Sequence, residues 1–349
     1  ICLLLYSQHV LEEDDDYQGL LSGSLSAKNF MYNKIYNLEI TPDMLALPPC
    51  SGSFVLTDIN TGKVKALVSY PGYDANQINN VSYYASLINN SSSPLYNRAT
   101  QQTLAPGSTF KPISAIAGLE EGVIDAGTYI TDYVEYTKVV PHANCWNSAG
   151  HGTINVEQAI EYSCNYFFYE VGYRLGSKNN TTELSDSTGL ALLAKYAKMF
   201  GLDSVSGLEL PETTPRISDE SVVRSAIGQA THNYTAAELA RYVTAIANSG
   251  NLYQLSILDK ITDSEGNVLE ENEPNLTNKI ELKQSTWDMV HTGMYKVCNE
   301  SSYRSQMGGL KVTLAGKSGT AQVSEKLPNH GLFIGYAPYE NPEVAATLI

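Results

Sequence analysis

Ser108 and Lys111 stand three residues apart, a spacing that sets a hydroxyl and an amine on one face of a helix. A serine with a base in reach is a nucleophile for acyl transfer. A neutral lysine can take the hydroxyl proton if burial or nearby positive charge lowers its pKa. Lys111 is the one lysine of the chain with a serine three positions before it. Ala105-Pro106-Gly107 precedes Ser108, so the serine opens a helix, where first-turn N–H groups can stabilise an oxyanion.

Two further patterns complete a reactive set. Ser163-Cys164-Asn165 lies between Ile160 and the run Tyr166-Phe167-Phe168-Tyr169. Polar groups in so apolar a setting must find partners. Ser163 suits a proton relay between Lys111 and a leaving amine. Asn165 suits either a hydrogen bond to a substrate amide or a grip on Lys111. Ser-x-Asn recurs at Ser177 and Ser249, so the apolar setting is what singles out Ser163. Lys317-Ser318-Gly319-Thr320 is the one Lys-Ser/Thr-Gly match and reads as a strand edge. Lys317 offers positive charge, Ser318 and Thr320 offer hydroxyls to a carboxylate, and Gly319 admits a substrate backbone. The N–H groups of Thr320 and Ser108 would form the oxyanion hole. Taken singly, each pattern also fits a capped helix with a solvated lysine, a satisfied polar pair in a core, or a lysine-protected edge strand. Their order along one chain favours a common site.

The elements that must carry these residues run strands, helices, strands. Ser53–Asp58 and Val64–Tyr70 flank the turn Asn60-Thr61-Gly62 as a hairpin. Residues 71–107 read as a long loop or short helices. Apolar spacing then predicts helices after Ser108, with Pro112 tolerable in the first turn; over Leu192–Phe200, ended by Gly201; after a capping box at Thr235 and Glu238; and over Trp287–Val297. Lys311–Ala315 leads into the Lys317 motif, and Leu332–Ala337 and Val344–Ile349 are apolar strand candidates. The expected class is α+β: an antiparallel sheet of about five strands from both chain ends, flanked by helices, with an inserted all-helical subdomain.

The chain has 349 residues, is 43% hydrophobic and 17% charged, and carries a net charge of -15. That acidity argues against a nucleic-acid partner, which needs clustered Lys and Arg. Cys2, Cys50, Cys145, Cys164 and Cys298 are few and irregularly spaced and imply no disulfide framework. Cys145, His151 and Cys164 offer thiolates and an imidazole that suit zinc, with Asp132 or His142 as a fourth ligand. A buried cysteine pair beside a hydrogen-bonded histidine explains the same residues. The opening run Ile-Cys-Leu-Leu-Leu-Tyr is too short to span a bilayer and reads as an internal helix cut by a fragment boundary, with a sheared membrane anchor as the alternative.

The three motifs, with Tyr96-Asn97-Arg98-Ala99, Gly150-His151-Gly152, Ile227-Gly228-Gln229 and Lys317-Ser-Gly-Thr-Ala-Gln322, resemble the transpeptidase domain of penicillin-binding proteins. The likeness is to the class B, elongation-type group within the larger serine β-lactamase superfamily. It runs from about residue 50 to the end. Residues 1–49 would then be the remnant of an upstream pedestal region and linker, and residues 50–349 a transpeptidase domain cut at its C-terminus. Ser318 stands where the family more often has Thr, and Ala230 where Gly is frequent. The resemblance implies a D,D-transpeptidase that forms an acyl-enzyme on Ser108 from D-Ala-D-Ala stem peptides and cross-links them to a neighbouring amine. It implies acylation by β-lactam antibiotics and a membrane glycosyltransferase partner. It also implies a bacterial parent anchored in the cell membrane with this domain outside. No cofactor is needed for catalysis, and some elongation-type relatives carry a zinc beside the site. The alternatives are a serine β-lactamase and a non-catalytic penicillin-sensing module. No Glu-x-x-Leu-Asn follows the second motif to supply a class A deacylating base.

Overall fold

Alternating side chains build the sheet on which the site rests. In the strand Gly52–Asp58 every second residue is buried, and a turn closed by Gly62 N–H on the Asp58 carbonyl (3.0 Å) returns the chain as Val64–Tyr70. The other three strands come from the far end of the chain: Ala315–Ala321, His330–Ala337 and Val344–Leu348. Val344–Leu348 joins the two ends. It pairs antiparallel with His330–Ala337 on one side and with Gly52–Asp58 on the other, Leu348 standing opposite both Phe333 and Phe54. The strand Ala315–Ala321, which carries the Lys317 motif, is left at the sheet edge. The fold is α+β with a five-stranded antiparallel sheet, as expected.

The computed structural model describes residues 2–40, 51–178, 183–307, 309–321 and 329–349. Pro48-Pro49, where the sequence itself marks a break, the 49/50 boundary, Cys50 and Gln322 lie outside them. Two units are distinguished: Gly52–Ser69 with Tyr96–Ile349, and Ile1–Ser51 with Tyr70–Leu95. In the larger unit the helix Ala236–Ala247 is buried at every residue. Its capping box is complete, with Thr235 accepting from Glu238 N–H and the Glu238 side chain accepting from Thr235 N–H. Thr244 Oγ1 meets Thr57 Oγ1 of the sheet at 2.6 Å, and the Tyr242 hydroxyl reaches the Thr109 carbonyl at 3.2 Å. One helix thus ties the sheet to the segment holding Ser108.

The long helical insertion differs in detail from the expectation. Four two-stranded ribbons lie within it: Ile130–Asp132 with Gly152–Ile154, Glu135–Tyr136 with Ala143–Asn144, Asn251–Tyr253 with Leu276–Lys279, and Lys260–Thr262 with Val268–Glu271. Strands of two to four residues are too short for alternation to show. The motif strand also begins at Ala315, since residues 311–312 form a bend.

In the smaller unit the helices Cys2–Ser7, Asp15–Ser22 and Ala27–Tyr36 enclose Leu5, Tyr6, Phe30 and Ile40. The acidic run Glu12–Asp16 has a structural use there. Asp14 caps the second helix, and Asp14, Asp16 and Glu39 surround the buried Lys34 at 2.6, 2.9 and 2.6 Å. Among the described residues no helix is long and apolar enough to cross a membrane.

Ala230 sits at φ 65°, the left-handed region that suits glycine. An L-residue there carries a strain of about 1–2 kcal/mol, partly offset by the smaller unfolded-state entropy of Ala. Ala230→Gly should therefore raise unfolding stability by about 0.5–1 kcal/mol. Denaturant melts check this, and a loss of stability would contradict it.

Candidate active site

Ser108 lies in a single 3-10 turn, Gly107–Phe110, that runs directly into the helix Lys111–Glu120. Pro112 falls in the first helical turn, where its missing N–H breaks no bond. The turn is pinned by its neighbours. Gly107 N–H donates to the Gly228 carbonyl at 3.0 Å, and Thr109 Oγ1 donates to the Pro106 carbonyl at 2.7 Å. The backbones approach too closely for side chains. A Cβ on Gly228 would lie 2.0 Å from the Gly107 oxygen, and one on Gly107 would lie 2.4 Å from the Thr320 oxygen. Both glycines also need positive φ, 77° and 52°. These two residues let three distant segments converge behind Ser108.

Lys111 is fully buried, one position beyond the turn. Its Nζ donates to the Ser163 carbonyl and to Asn165 Oδ1, both at 2.7 Å, and lies 3.2 Å from Ser163 Oγ. Of the two uses expected of Asn165, the structure shows the grip on Lys111. Burial pushes the Lys111 amine down to about 7, outweighing the opposing effect of the nearby Cys164 and Cys145 sulfurs. A neutral amine spends two N–H bonds on the two carbonyl oxygens and keeps a lone pair for a hydroxyl.

Ser163 occupies the loop between the helices Val156–Glu161 and Asn165–Gly176, at φ 54°. Serine rarely adopts that conformation, and here two donors fix it. Its carbonyl accepts from Lys111 Nζ and from Trp146 Nε1 at 3.0 Å. Its hydroxyl also meets Lys317 Nζ at 2.9 Å, and that same Nζ donates to the Ser318 carbonyl at 2.9 Å. Lys317 is fully buried, and burial plus the Lys111 charge hold its amine well below the ordinary lysine range. Two amines therefore converge on one hydroxyl. Ser108 Oγ joins neither lysine in a hydrogen bond among the described residues, so the expected three-way contact is present only between Lys111 and Ser163. Such bonds often tighten only when a substrate fills the site.

A cleft of about 640 Å³ opens in front of these groups, lined by Ser108, Ser163, Asn165, Ser318, Gly319 and Thr320. Lys111 and Lys317 lie buried behind its wall. Along the edge strand Lys317 and Gly319 are buried, while Ser318 and Thr320 are more exposed. Gly319 packs against the nucleophile turn, where a Cβ would come 2.8 Å from Thr109 Cγ2 and 2.9 Å from the Pro106 oxygen. All eight residues expected at the active centre thus meet in one place. Trp146 and Gln229, whose Nε2 reaches the Thr320 carbonyl at 3.4 Å, also belong to it. Ile227-Gly228-Gln229 stood out as a motif, but nothing in its residue types foretold that contact.

Behind Ser163 lies a second cluster. Asp132, Cys145, His151 and Cys164 each bring a ligand atom within 4.8 Å of all the others. Asp132 is the fourth member, whereas His142 pairs with Glu135 at 2.9 Å. The two sulfurs stand 3.9 Å apart, and both cysteines are free thiols. His151 Nδ1 faces Asp132 Oδ2 at 2.7 Å and Cys145 Sγ at 3.5 Å. Its Nε2 is buried without a protein partner. The Cys164 thiol pulls Cys145 down to about 6, while the same contact and burial push Cys164 up. Two sulfurs, one imidazole and one carboxylate at this spacing fit a four-coordinate zinc site. Cys164 is also the N-cap of the helix that begins at Asn165.

Comparison with known proteins agrees with this arrangement. Residues 52–349 match the family model for the penicillin binding protein transpeptidase domain. The chain is 31% identical over 337 residues to the peptidoglycan D,D-transpeptidase MrdA of Haemophilus influenzae, covering 85% of this chain and 49% of that protein. It resembles a solved peptidoglycan synthase complex that coordinates polymerization and crosslinking, at 27% identity and a TM-score of 0.75, over 86% of this chain and 52% of that one. It also resembles penicillin-binding protein A of Mycobacterium tuberculosis in its ceftriaxone acyl-enzyme complex, at 25% identity and a TM-score of 0.73, over 86% of this chain and 68% of that one. The chain spans about half the length of the curated relatives it matches.

The Lys111 amine must be unprotonated to accept the Ser108 proton. Labelling of Ser108 by a fluorescent penicillin should therefore slow about tenfold for each pH unit below about 7 and level off above it. Stopped-flow labelling from pH 5 to 9 measures this. A flat profile across that range would contradict a basic role for Lys111.

Proposed function

The chain belongs to the penicillin-binding protein transpeptidase family, and we propose that it is a peptidoglycan D,D-transpeptidase of the class B, elongation type. The observation that supports this most is the Lys111–Ser163–Lys317 chain behind Ser108, with bonds of 3.2 and 2.9 Å. The substrate is a stem peptide ending in D-Ala-D-Ala. Ser108 Oγ attacks the carbonyl of the penultimate D-Ala, and its proton passes to the neutral Lys111 Nζ. The N–H groups of Ser108 and Thr320 receive the oxyanion. Ser163 then carries a proton from Lys111 to the nitrogen of the departing D-Ala. Ser318 and Thr320 hold the terminal carboxylate, with the buried Lys317 amine behind them and the peptide laid along the edge of Ala315–Ala321. An amine from a neighbouring strand attacks the Ser108 ester and gives its proton to Lys111. The ester bond breaks, an amide forms and the serine is restored. A β-lactam enters the first half of this cycle and stays on Ser108.

In the parent protein this domain would lie outside a bacterial cytoplasmic membrane. A membrane glycosyltransferase would supply the glycan, consistent with the likeness to a synthase complex that couples polymerization to crosslinking. A zinc ion on Asp132, Cys145, His151 and Cys164 would be structural, since none of the four lines the cleft except His151. Bound there, it would brace Cys164 between the relay serine and Asn165.

Incubation with labelled penicillin should give an adduct that lasts for hours and vanishes in Ser108→Ala. Release of D-Ala from a stem-peptide mimic should accompany it. Rapid turnover of the adduct would favour a β-lactamase, an adduct without D-Ala release a penicillin-sensing module, and no adduct at all would refute the assignment. Elemental analysis should find one zinc per chain, reduced to substoichiometric levels in Cys145→Ser together with a lowered melting temperature. A metal-free parent that melts unchanged in chelator would overturn the zinc site.

A further inference from the structure

One end of the cleft is lined by two carboxylates that the mechanism above leaves unused. Glu161 and Glu300 border the same cavity as Ser108 and Ser163. Glu161 is only 8% exposed, yet it makes no hydrogen bond or ion pair among the described residues. Its carboxylate borders the cleft, where a ligand can reach it. Its near neighbour Lys296 is already engaged by Glu157 at 3.0 Å. Both carboxylates also stand at the wrong ends of helices. Glu161 ends Val156–Glu161, and Glu300 is the C-cap of Gln284–Asn299. Carbonyl groups at helix C-termini carry partial negative charge and favour a cation there. Burial and the Glu300 charge push the Glu161 carboxyl above its usual range, an effect that the nearby Lys296 offsets only in part. The two amines closest to the chemistry, Lys111 and Lys317, are buried behind Ser163 and bound to it.

We propose that Glu161 and Glu300 form the binding site for the primary amine of the incoming acceptor strand, which arrives as an ammonium, leaves one proton on the Glu161 carboxylate, and then attacks the Ser108 ester as the neutral amine while its second proton passes by way of Lys111 to Ser108 Oγ. The proposal rests on the transpeptidase reading, because only a transferase needs such a site. The placement fits the reaction. Glu161 lies two residues before Ser163, and both line the same cleft. The terminal carboxylate of the donor would be repelled from this end and drawn to the Lys317 strand. A cavity of about 640 Å³ has room for both peptide ends.

The full chain would be acylated with a thioester donor analogue in the presence of rising Nα-acetyl-lysine amide. The readout is the ratio of aminolysis to hydrolysis of the acyl-enzyme. In Glu161→Gln this ratio should fall at least about tenfold at subsaturating amine, and in Glu300→Gln by a smaller factor. Acylation by labelled penicillin, measured alongside, should fall less than aminolysis. Ratios within about twofold of the parent in both variants would overturn the proposal, as would equal losses of acylation and aminolysis. If Glu161→Gln fails to fold, the exposed Glu300→Gln carries the test by the same ratio. A parent chain that acylates but only hydrolyses overturns the amine site alone. A parent that is never acylated overturns the transpeptidase reading and this site with it.

Discussion

Two buried amines share one hydroxyl, and the remainder of the site follows from that constraint. Lys111 and Lys317 both reach Ser163 Oγ, so their nitrogens are at most about 6 Å apart. At that separation two full charges would repel by roughly 3 kcal/mol even at an effective dielectric of about 20, on top of the cost of burial. Burial brings the Lys111 amine down to about 7, so the lysine beside Ser108 becomes a base near neutral pH, while the Lys111 charge adds to the burial that holds Lys317 well below the ordinary lysine range. The Ser163 and Asn165 oxygens then orient it. They take two of its N–H bonds and leave the lone pair for a hydroxyl.

Holding that pair requires segments far apart in the chain to meet at backbone distance. The Ser108 turn, Gly228 and Thr320 touch where no side chain would fit. The relay serine is held in a left-handed conformation by Lys111 and Trp146. Behind it the Cys164 cap links the catalytic loop to the Asp132, Cys145 and His151 cluster. The fully buried helix Ala236–Ala247 joins the sheet to the nucleophile turn through Tyr242. Rigid elements thus carry every group that must act together, while the edge of the sheet stays open to a peptide.

Much of this was legible in the residues. The Ser108–Lys111 spacing, the capping box at Thr235 and the order of strands and helices each have a local cause that a sequence displays. The Gly at 107 and 228 and the Ser at 163 were visible as residues but not as left-handed or crowded positions, because those demands come from partners 17 or more residues away. Lys317 read as a point of positive charge, yet its burial against Ser163 makes it part of the proton chain as well. The short ribbons between residues 130 and 154 escaped notice for want of length. They nonetheless bring Asp132 beside Cys145 and His151, which decides the fourth member of the cluster. Glu161 and Glu300 could not be paired from sequence, since only the packing of two helices sets them on one cavity.

The most direct measurement is an NMR titration of the lysine side chains, with ¹³Cε-labelled chain and Lys111→Met to assign the resonance. The account predicts that Lys111 loses its proton near pH 7. A Lys111 that stays charged up to the ordinary lysine range, above about 10, would contradict it.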